Sequence, residues 1–173
     1  MSQTRNRPLR AGKGSVYEGG VREPTIVKWP GVTPAGSVCD TPVITMDFYP
    51  TILHMTGAKG DAKHNRQVDG ADLSAILQDP AAGLDRDTLY WYFPHSHSGG
   101  ARPYASIRHH DFRLVKWFNR EGVQLFDLER DIGESRNLAG SMPEKAQELE
   151  ALLDAWLEET GAEIPVPKGP KKK

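Results

Sequence analysis

The sequence predicts an α/β chain whose second half is a small antiparallel sheet packed on a C-terminal helix. Four short segments rich in aromatic and β-branched residues are separated by short polar turns, a pattern typical of an antiparallel meander. A longer stretch near the C-terminus repeats apolar residues at helical spacing. The chain has 173 residues, 38% of them apolar and 26% charged, so it can bury the core of one globular domain.

The first 24 residues predict an exposed loop suited to anions. They are rich in glycine and in basic side chains, namely Gly12, Gly14, Gly19, Gly20, Arg5, Arg7, Arg10, Lys13 and Arg22. After this loop, residues 25–29 form a β-branched run closed by Pro30 and Gly31. We expect a short strand there, with a turn at its end.

A helix is predicted at residues 43–56, because four apolar residues recur at helical spacing and Gly57 follows as a C-cap. Pro50 falls inside this pattern, so the helix either begins late or kinks there. One or two further helical turns are predicted at residues 72–77. The stretch 78–87 then predicts a linker and a subdomain boundary.

The second half is predicted to contain four strands and one long helix. The strands are predicted at residues 88–93, 104–108, 112–117 and 123–128. The amphipathic helix should run from about Pro143 to Thr160, with the proline in its first turn and Gly161 at its end. Its apolar face should cover the sheet.

Composition excludes several classes of partner and site. The net charge of −1 comes from 22 basic and 23 acidic residues, so no global field attracts nucleic acid or an anionic membrane. No stretch approaches the roughly 18 consecutive apolar residues of a membrane span, and residues 1–10 do not resemble a secretory signal. The one cysteine, Cys39, is predicted to be a small core residue rather than a nucleophile. Localisation stays open.

Lys13 is the first candidate site residue. Glycines on both sides let the backbone approach a ligand closely, and an ammonium group is a compact charge suited to an oxyanion. A phosphate-binding P-loop is excluded, because Gly14 stands where that motif requires Ser or Thr. From the residues alone, the alternative is a glycine-rich surface loop with a solvated lysine.

A second candidate site contains two histidines, His95 and His97, which would face one side of an extended segment. An imidazole can act as an acid or a hydrogen-bond donor near neutral pH, and a His-x-His pair can bind a metal. No third ligand is evident, so no metal site is assigned. Contact with a substrate and an ordinary surface turn remain the two interpretations.

The order of residues around Lys13 resembles a known family. Pro-Leu-Arg-Ala-Gly-Lys-Gly at residues 8–14 and Glu-Gly-Gly-Val-Arg-Glu-Pro at residues 18–24 resemble the active-site loop of type I, formylglycine-dependent sulfatases and arylsulfatases. Further matches follow in the same order: Trp-Pro-Gly at 29–31, Asp-Phe-Tyr-Pro-Thr-Ile-Leu at 47–53, Asp-Gly-Ala-Asp-Leu at 69–73 and Leu-Phe-Asp-Leu at 125–128. The resemblance covers nearly the whole chain except the tail.

The resemblance implies the C-terminal part of the alkaline-phosphatase-like α/β sulfatase fold. Residues 1–80 would be the C-terminal segment of the catalytic domain, with the last elements of its large mixed sheet. Residues 84–164 would form the C-terminal subdomain, an antiparallel sheet plus a helix. Residues 165–173 would be a disordered basic tail.

The resemblance also implies roles for single residues. Lys13 would bind a sulfate oxygen and stabilise charge during the reaction, as the one catalytic residue of this chain. Arg10, His95 and His97 are the further candidates for substrate binding, and a positioning role is the alternative for Arg10. Arg22 and Glu18 are four residues apart, and we expect them to pair and support the loop.

The reaction needs groups that the sequence does not supply. The family uses a formylglycine made from a Cys/Ser-x-Pro-x-Arg motif, and Cys39 is not followed by that pattern. The family also holds calcium with Asp and Asn side chains, and no such cluster is evident, so calcium and formylglycine are implied only for the full-length enzyme. We therefore expect a C-terminal fragment, inactive alone, that depends on a missing N-terminal part.

Two functions remain in competition. The first is a portion of a sulfatase that hydrolyses aryl or carbohydrate sulfate monoesters, with a sulfated small molecule or glycan as substrate. The alternative is a non-catalytic interaction or anion-binding module derived from the C-terminal domain. Neither nucleic acid nor a membrane is expected as a partner.

Overall fold

The computed structural model describes residues 5–96 and 102–165. The helices in this part of the chain are α1 (Glu18–Val21), a 3₁₀ helix (Thr45–Asp47), α2 (Phe48–Thr56), α3 (Ala62–Asn65), α4 (Ser74–Gln78) and α5 (Pro143–Glu159). The strands are β1 (Thr88–Phe93), β2 (Tyr104–His109), β3 (Phe112–Trp117) and β4 (Val123–Asp127). His97 and all but the first residue of the predicted tail lie outside the described residues. Across the described ranges, no helix is both long and apolar enough to cross a membrane.

The four strands form one antiparallel sheet in the order β1-β2-β3-β4. Ile107 pairs with Tyr90 on one side and with Leu114 on the other, and Leu114 pairs in turn with Leu125. The predicted meander is therefore confirmed, and each strand lies within one residue of its predicted bounds.

One face of the sheet packs against α5. Four buried strand residues on this face pack against four apolar positions of the helix, and together they form one core cluster: Ala105, Ile107, Leu114, Leu125, Ala146, Leu149, Leu153 and Leu157. The two periodicities, two in a strand and about 3.6 in a helix, bring these residues to a common surface. As predicted, Pro143 lies in the first turn of α5, and Gly161 follows the helix with a positive φ of 65°.

The other face of the sheet packs against the N-terminal loop. Val16 is 1% exposed and joins a second cluster with strand residues and Leu128. The strand members are Tyr104, Val115 and Phe126. The glycine-rich loop is thus fixed to the sheet through an apolar contact, although its composition predicted an exposed segment.

The chain divides into two compact units. One contains the residues up to Glu23 and those from Thr88 onward, and the other is Pro24–Asp87. The boundary between Asp87 and Thr88 falls at the end of the linker predicted at residues 78–87. Residues 5–23 group with the sheet rather than with the segment that follows them.

The unit Pro24–Asp87 contains the 3₁₀ helix and α2 to α4. The helix predicted at residues 43–56 begins late, at Phe48, after the 3₁₀ turn. Pro50 is therefore in the first helical turn, where its missing N–H is not needed for the helix ladder. Gly57 adopts a left-handed φ of 68° and caps α2, as predicted.

Two predictions in this unit are wrong. Residues 25–29 form no strand, and Ile26 is 94% exposed. A strand requires a neighbouring strand for its hydrogen bonds, and the single sheet found in the described residues consists of β1 to β4 alone. Cys39 is exposed rather than part of the core, with its Sγ 3.7 Å from the carbonyl oxygen of Pro80.

Candidate functional site

The candidate site is built on the loop that carries Lys13. The base of this loop is closed by a backbone hydrogen bond from Gly19 N–H to the carbonyl oxygen of Arg10, at 3.0 Å. A Cβ at position 19 would overlap that carbonyl, so only glycine permits the closure. Ser15 N–H donates to the carbonyl oxygen of Gly12 at 3.1 Å, which makes the tip a tight turn. The Lys13 side chain is exposed on this turn.

A buried ion pair anchors the loop to the sheet. Arg113 lies on β3, is fully buried, and donates through Nη1 to the Glu18 carboxylate and through Nη2 to the carbonyl oxygen of Val16. Its guanidinium also lies 5.0 Å from the ring of Trp91. The predicted Glu18–Arg22 pair is present at 3.9 Å, but Arg22 is half exposed and at the edge of this network. The Arg113–Glu18 pair is buried away from water, so direct hydrogen bonds must replace the solvation that both charges lose.

Glu134 adds a second buried carboxylate to this ion pair. Its Oε2 accepts a hydrogen bond from Glu18 N–H at 2.7 Å, and its Oε1 lies 3.9 Å from Arg113 Nε. Burial raises the pKa of Glu134 to about 7, against the opposing effects of Arg113 and of the Glu18 N–H. Arg113 places one positive charge beside two buried carboxylates. Glu134, the one with the raised pKa, stays largely protonated at mildly acidic pH.

The raised pKa makes the stability of this unit depend on pH. Between about pH 4.5 and pH 7 the folded chain keeps a proton on Glu134 that the unfolded chain, with a pKa near 4.5, releases. The free energy of unfolding should therefore fall as pH rises from about 4.5 to about 7, by roughly 3 kcal/mol at most. Urea denaturation of the wild type and of Glu134→Gln across this range tests it, because the amide does not titrate and its curve should be flatter. Parallel curves for the two proteins would contradict the assignment.

Arg10 is held in place by groups on both sides of its guanidinium. Its Nη1 donates to the main-chain carbonyl of Glu134 at 2.7 Å, and its Cζ lies 3.7 Å from the centre of the Tyr17 ring. Tyr17 in turn donates to Gln124 Oε1 on β4 at 2.8 Å. These contacts give Arg10 a supporting role in the loop, and they leave its expected role in substrate binding as a proposal.

His95 lies just beyond the end of β1 and is exposed. Its ring meets Phe93 edge to face at 5.6 Å, and a row of rings continues across the sheet to the loop. The row consists of Phe93, Tyr104, Trp117 and Tyr17, with neighbouring centroids 5.7 to 6.4 Å apart. The structure thus connects His95 to Arg10 through four rings, on the same face of the sheet. His97 lies outside the described residues.

The carboxylates of the described residues are not grouped as a calcium ion requires. Calcium requires about six to eight oxygen ligands, most of them carboxylates or carbonyls. In residues 5–96 and 102–165, no group of three or more Asp or Glu carboxylates is close enough to share one ion. No step of the chemistry is therefore assigned to a metal bound by these residues.

Sequence patterns assigned no role to Arg113 or Glu134, the two residues that hold the loop in place. Arg113 lies 95 residues along the sequence from its partner Glu18. Glu134 lies 116 residues from Glu18, whose N–H donates a hydrogen bond to its carboxylate. One local signal was available: Arg113 alternates with Val115 and Trp117, which places it on an apolar face of β3. An arginine at such a position needs a buried partner.

Residues 12–163 match the family described as N-sulphoglucosamine sulphohydrolase, C-terminal. A sulfatase of Formosa agariphila is 37% identical over 169 residues, covering 91% of this chain and 31% of the relative. Arylsulfatase D of Homo sapiens is 32% identical over 158 residues, covering 77% of this chain and 26% of the relative. The chain thus spans about a third or less of these relatives.

Solved structures show the same fold. Ps i-CgsB in complex with k-i-k-neocarrahexaose superimposes with a TM-score of 0.72 and 31% identity, over 88% of this chain and 32% of that chain. The PsFucS1 sulfatase from Pseudoalteromonas sp. gives a TM-score of 0.69 at 21% identity, over 94% and 34% respectively. The predicted fold class, an alkaline-phosphatase-like α/β fold with a small antiparallel sheet and a C-terminal helix, is confirmed.

Proposed function

Because the chain belongs to the sulfatase family as a C-terminal portion, we propose that it supplies the sulfate-binding lysine of an enzyme that hydrolyses sulfate monoesters. The anchored loop carries this proposal. Lys13 is exposed at a tight turn whose base is tied to the buried Arg113 and Glu134. A cation held on such a support can stabilise negative charge on a sulfuryl group with little rearrangement.

The catalytic set is divided between this chain and the rest of the enzyme. The nucleophile would come from a part outside these 173 residues, and so would the calcium ligands. Residues 25–29, which have no strand partner in the described part of the chain, are suited to pair with the large sheet of that part. The chain alone would then bind sulfate at most weakly and would not turn over sulfate esters.

We propose a sulfated carbohydrate as the substrate class. Two proteins of this fold support it: Ps i-CgsB was solved with k-i-k-neocarrahexaose, and BT4656 with its substrate D-glucosamine-2-N,6-O-disulfate. Arg10, His95 and His97 would contact the sugar or its sulfate. Residues 1–80 would belong to the catalytic domain and residues 84–164 to the C-terminal subdomain.

A hybrid enzyme tests this proposal. The part of the Formosa agariphila sulfatase that aligns with this chain, 31% of the relative, would be replaced by residues 1–173. Turnover of a sulfate ester that the parent hydrolyses is expected for the folded hybrid and not for the isolated chain with added calcium. The parent enzyme, produced in the same host, serves as the positive control.

Two results would contradict the proposal. Calcium-dependent turnover by the isolated chain would show that the catalytic set is not divided. A folded but inactive hybrid, beside an active parent, would show that the loop does not serve this chemistry and would favour the non-catalytic, anion-binding alternative.

A further inference from the structure

Glu134 contacts both ends of the loop that presents Lys13. Its main-chain carbonyl accepts from Arg10 Nη1, and its side-chain Oε2 accepts from Glu18 N–H, each at 2.7 Å. Lys13 lies between these two attachment points in the chain. The Gly19 to Arg10 backbone bond closes the same loop at its base.

The conformation of Glu134 is costly. Its φ of 49° lies in the left-handed region, which favours glycine and asparagine over other residues. Its side chain is fully buried, and Oε1 has no hydrogen-bond partner in the described part of the chain. A strained backbone and a buried acid persist together only where surrounding contacts hold them. Here they are the local turn, in which Glu134 N–H donates to the carbonyl oxygen of Asp131 at 2.9 Å, and the two hydrogen bonds from the loop.

We propose that Glu134 is a positioning residue for Lys13, because it fixes both ends of the lysine loop against the sheet. The proposal rests on the proposed function for its catalytic meaning. Glu134 would not touch the sulfate group itself. It would act by limiting the motion of the loop, so that the ammonium group stays where charge develops on the substrate.

The first test is made on the present chain and needs no enzymatic activity. Glu134→Ala removes the side-chain acceptor of Glu18 N–H, and amide exchange at Glu18 and at Gly19 is expected to become at least about tenfold faster. Glu134→Gln keeps a carbonyl acceptor and should restore most of the protection. Glu129→Ala, at an exposed position of the same connection, is the matched control and should leave exchange unchanged. Unchanged loop exchange in Glu134→Ala, with a folded sheet, would overturn the proposal.

The second test is a double-mutant cycle in the hybrid enzyme. Glu134→Ala is expected to lower kcat/KM about tenfold or more, and Glu134→Gln to recover it to within about threefold of the wild type. If Glu134 acts through Lys13, its removal should have little further effect in a Lys13→Ala background. A purely structural residue would lower kcat/KM equally in both backgrounds, and that result would overturn the positioning role.

The two tests separate this proposal from the proposed function. A wild-type hybrid without turnover counts against the sulfatase role of the chain. The exchange measurement on the isolated chain still decides whether Glu134 holds the loop.

Discussion

Replacing Arg113 by alanine is expected to lower the free energy of unfolding of the sheet-containing unit by about 3–5 kcal/mol. The change leaves the buried Glu18 carboxylate without its main cation and removes the donor to the Val16 carbonyl. The remaining basic neighbours of Glu18, Arg22 and Arg108, are 3.9 and 4.0 Å away and cannot replace two direct hydrogen bonds.

Amide exchange at Leu114 and Leu125 measures this loss, because both residues are fully buried strand positions of the affected sheet. Arg130→Ala is the matched control, since its side chain is 83% exposed, and it should change the free energy of unfolding by less than about 0.5 kcal/mol. A loss below about 1 kcal/mol for Arg113→Ala would mean that the buried pair does not anchor the loop.

The second large effect is expected in the other unit, from Asp47→Ala. Asp47 is fully buried and accepts hydrogen bonds from Ile44 N–H at 2.8 Å, from Ala71 N–H at 2.9 Å and from both Nη atoms of Arg86 at 2.6 and 2.7 Å. Its loss leaves the largely buried Arg86 guanidinium without its counter-ion and the two N–H groups without their acceptor. We expect the free energy of unfolding of Pro24–Asp87 to fall by about 3–5 kcal/mol.

The stabilisation by Asp47 should also depend on pH. Burial opposes ionisation, but Arg86 and the two N–H groups hold the pKa of Asp47 below its ordinary value of 3.8. The stabilisation is therefore complete above pH 3.8 and is lost as pH falls through the lower, folded-state pKa. Amide exchange in α2 reports on this unit, and exposed Asp69→Ala is the control. Equal exchange rates in the Asp47 variant and the wild type would contradict the assigned role.

Local patterns predicted the sheet and its covering helix well. Each strand of the meander alternates between two apolar faces, and α5 presents one apolar stripe, so the periodicities define both elements. Gly57 and Gly161 marked two helix ends, because a left-handed residue commonly ends a helix. These features depend on neighbours close in sequence.

The wrong predictions concern segments whose structure depends on distant partners. The β-branched run at residues 25–29 has strand propensity but no neighbouring strand within the described ranges. Cys39 is small and apolar, yet its surroundings leave it exposed.

The candidate site was predictable only at its tip. The glycines and the order of residues around Lys13 indicated an anion-binding loop, and they gave no view of how it is held. The support comes from Arg113 and Glu134, which meet the loop only after the chain has folded back over more than 90 residues. A buried ionic network of this kind has no local periodicity, so single-sequence patterns do not reveal its pairing.

The most direct test of the central claim is the kcat/KM of Lys13→Ala in the hybrid enzyme, measured with a sulfate ester that the wild-type hybrid hydrolyses. If Lys13 stabilises charge on the sulfuryl group, its removal should lower kcat/KM by about 10²- to 10³-fold. Lys63→Ala, at an exposed position in α3, should leave it unchanged. A Lys13→Ala hybrid as active as the wild-type hybrid would contradict the account.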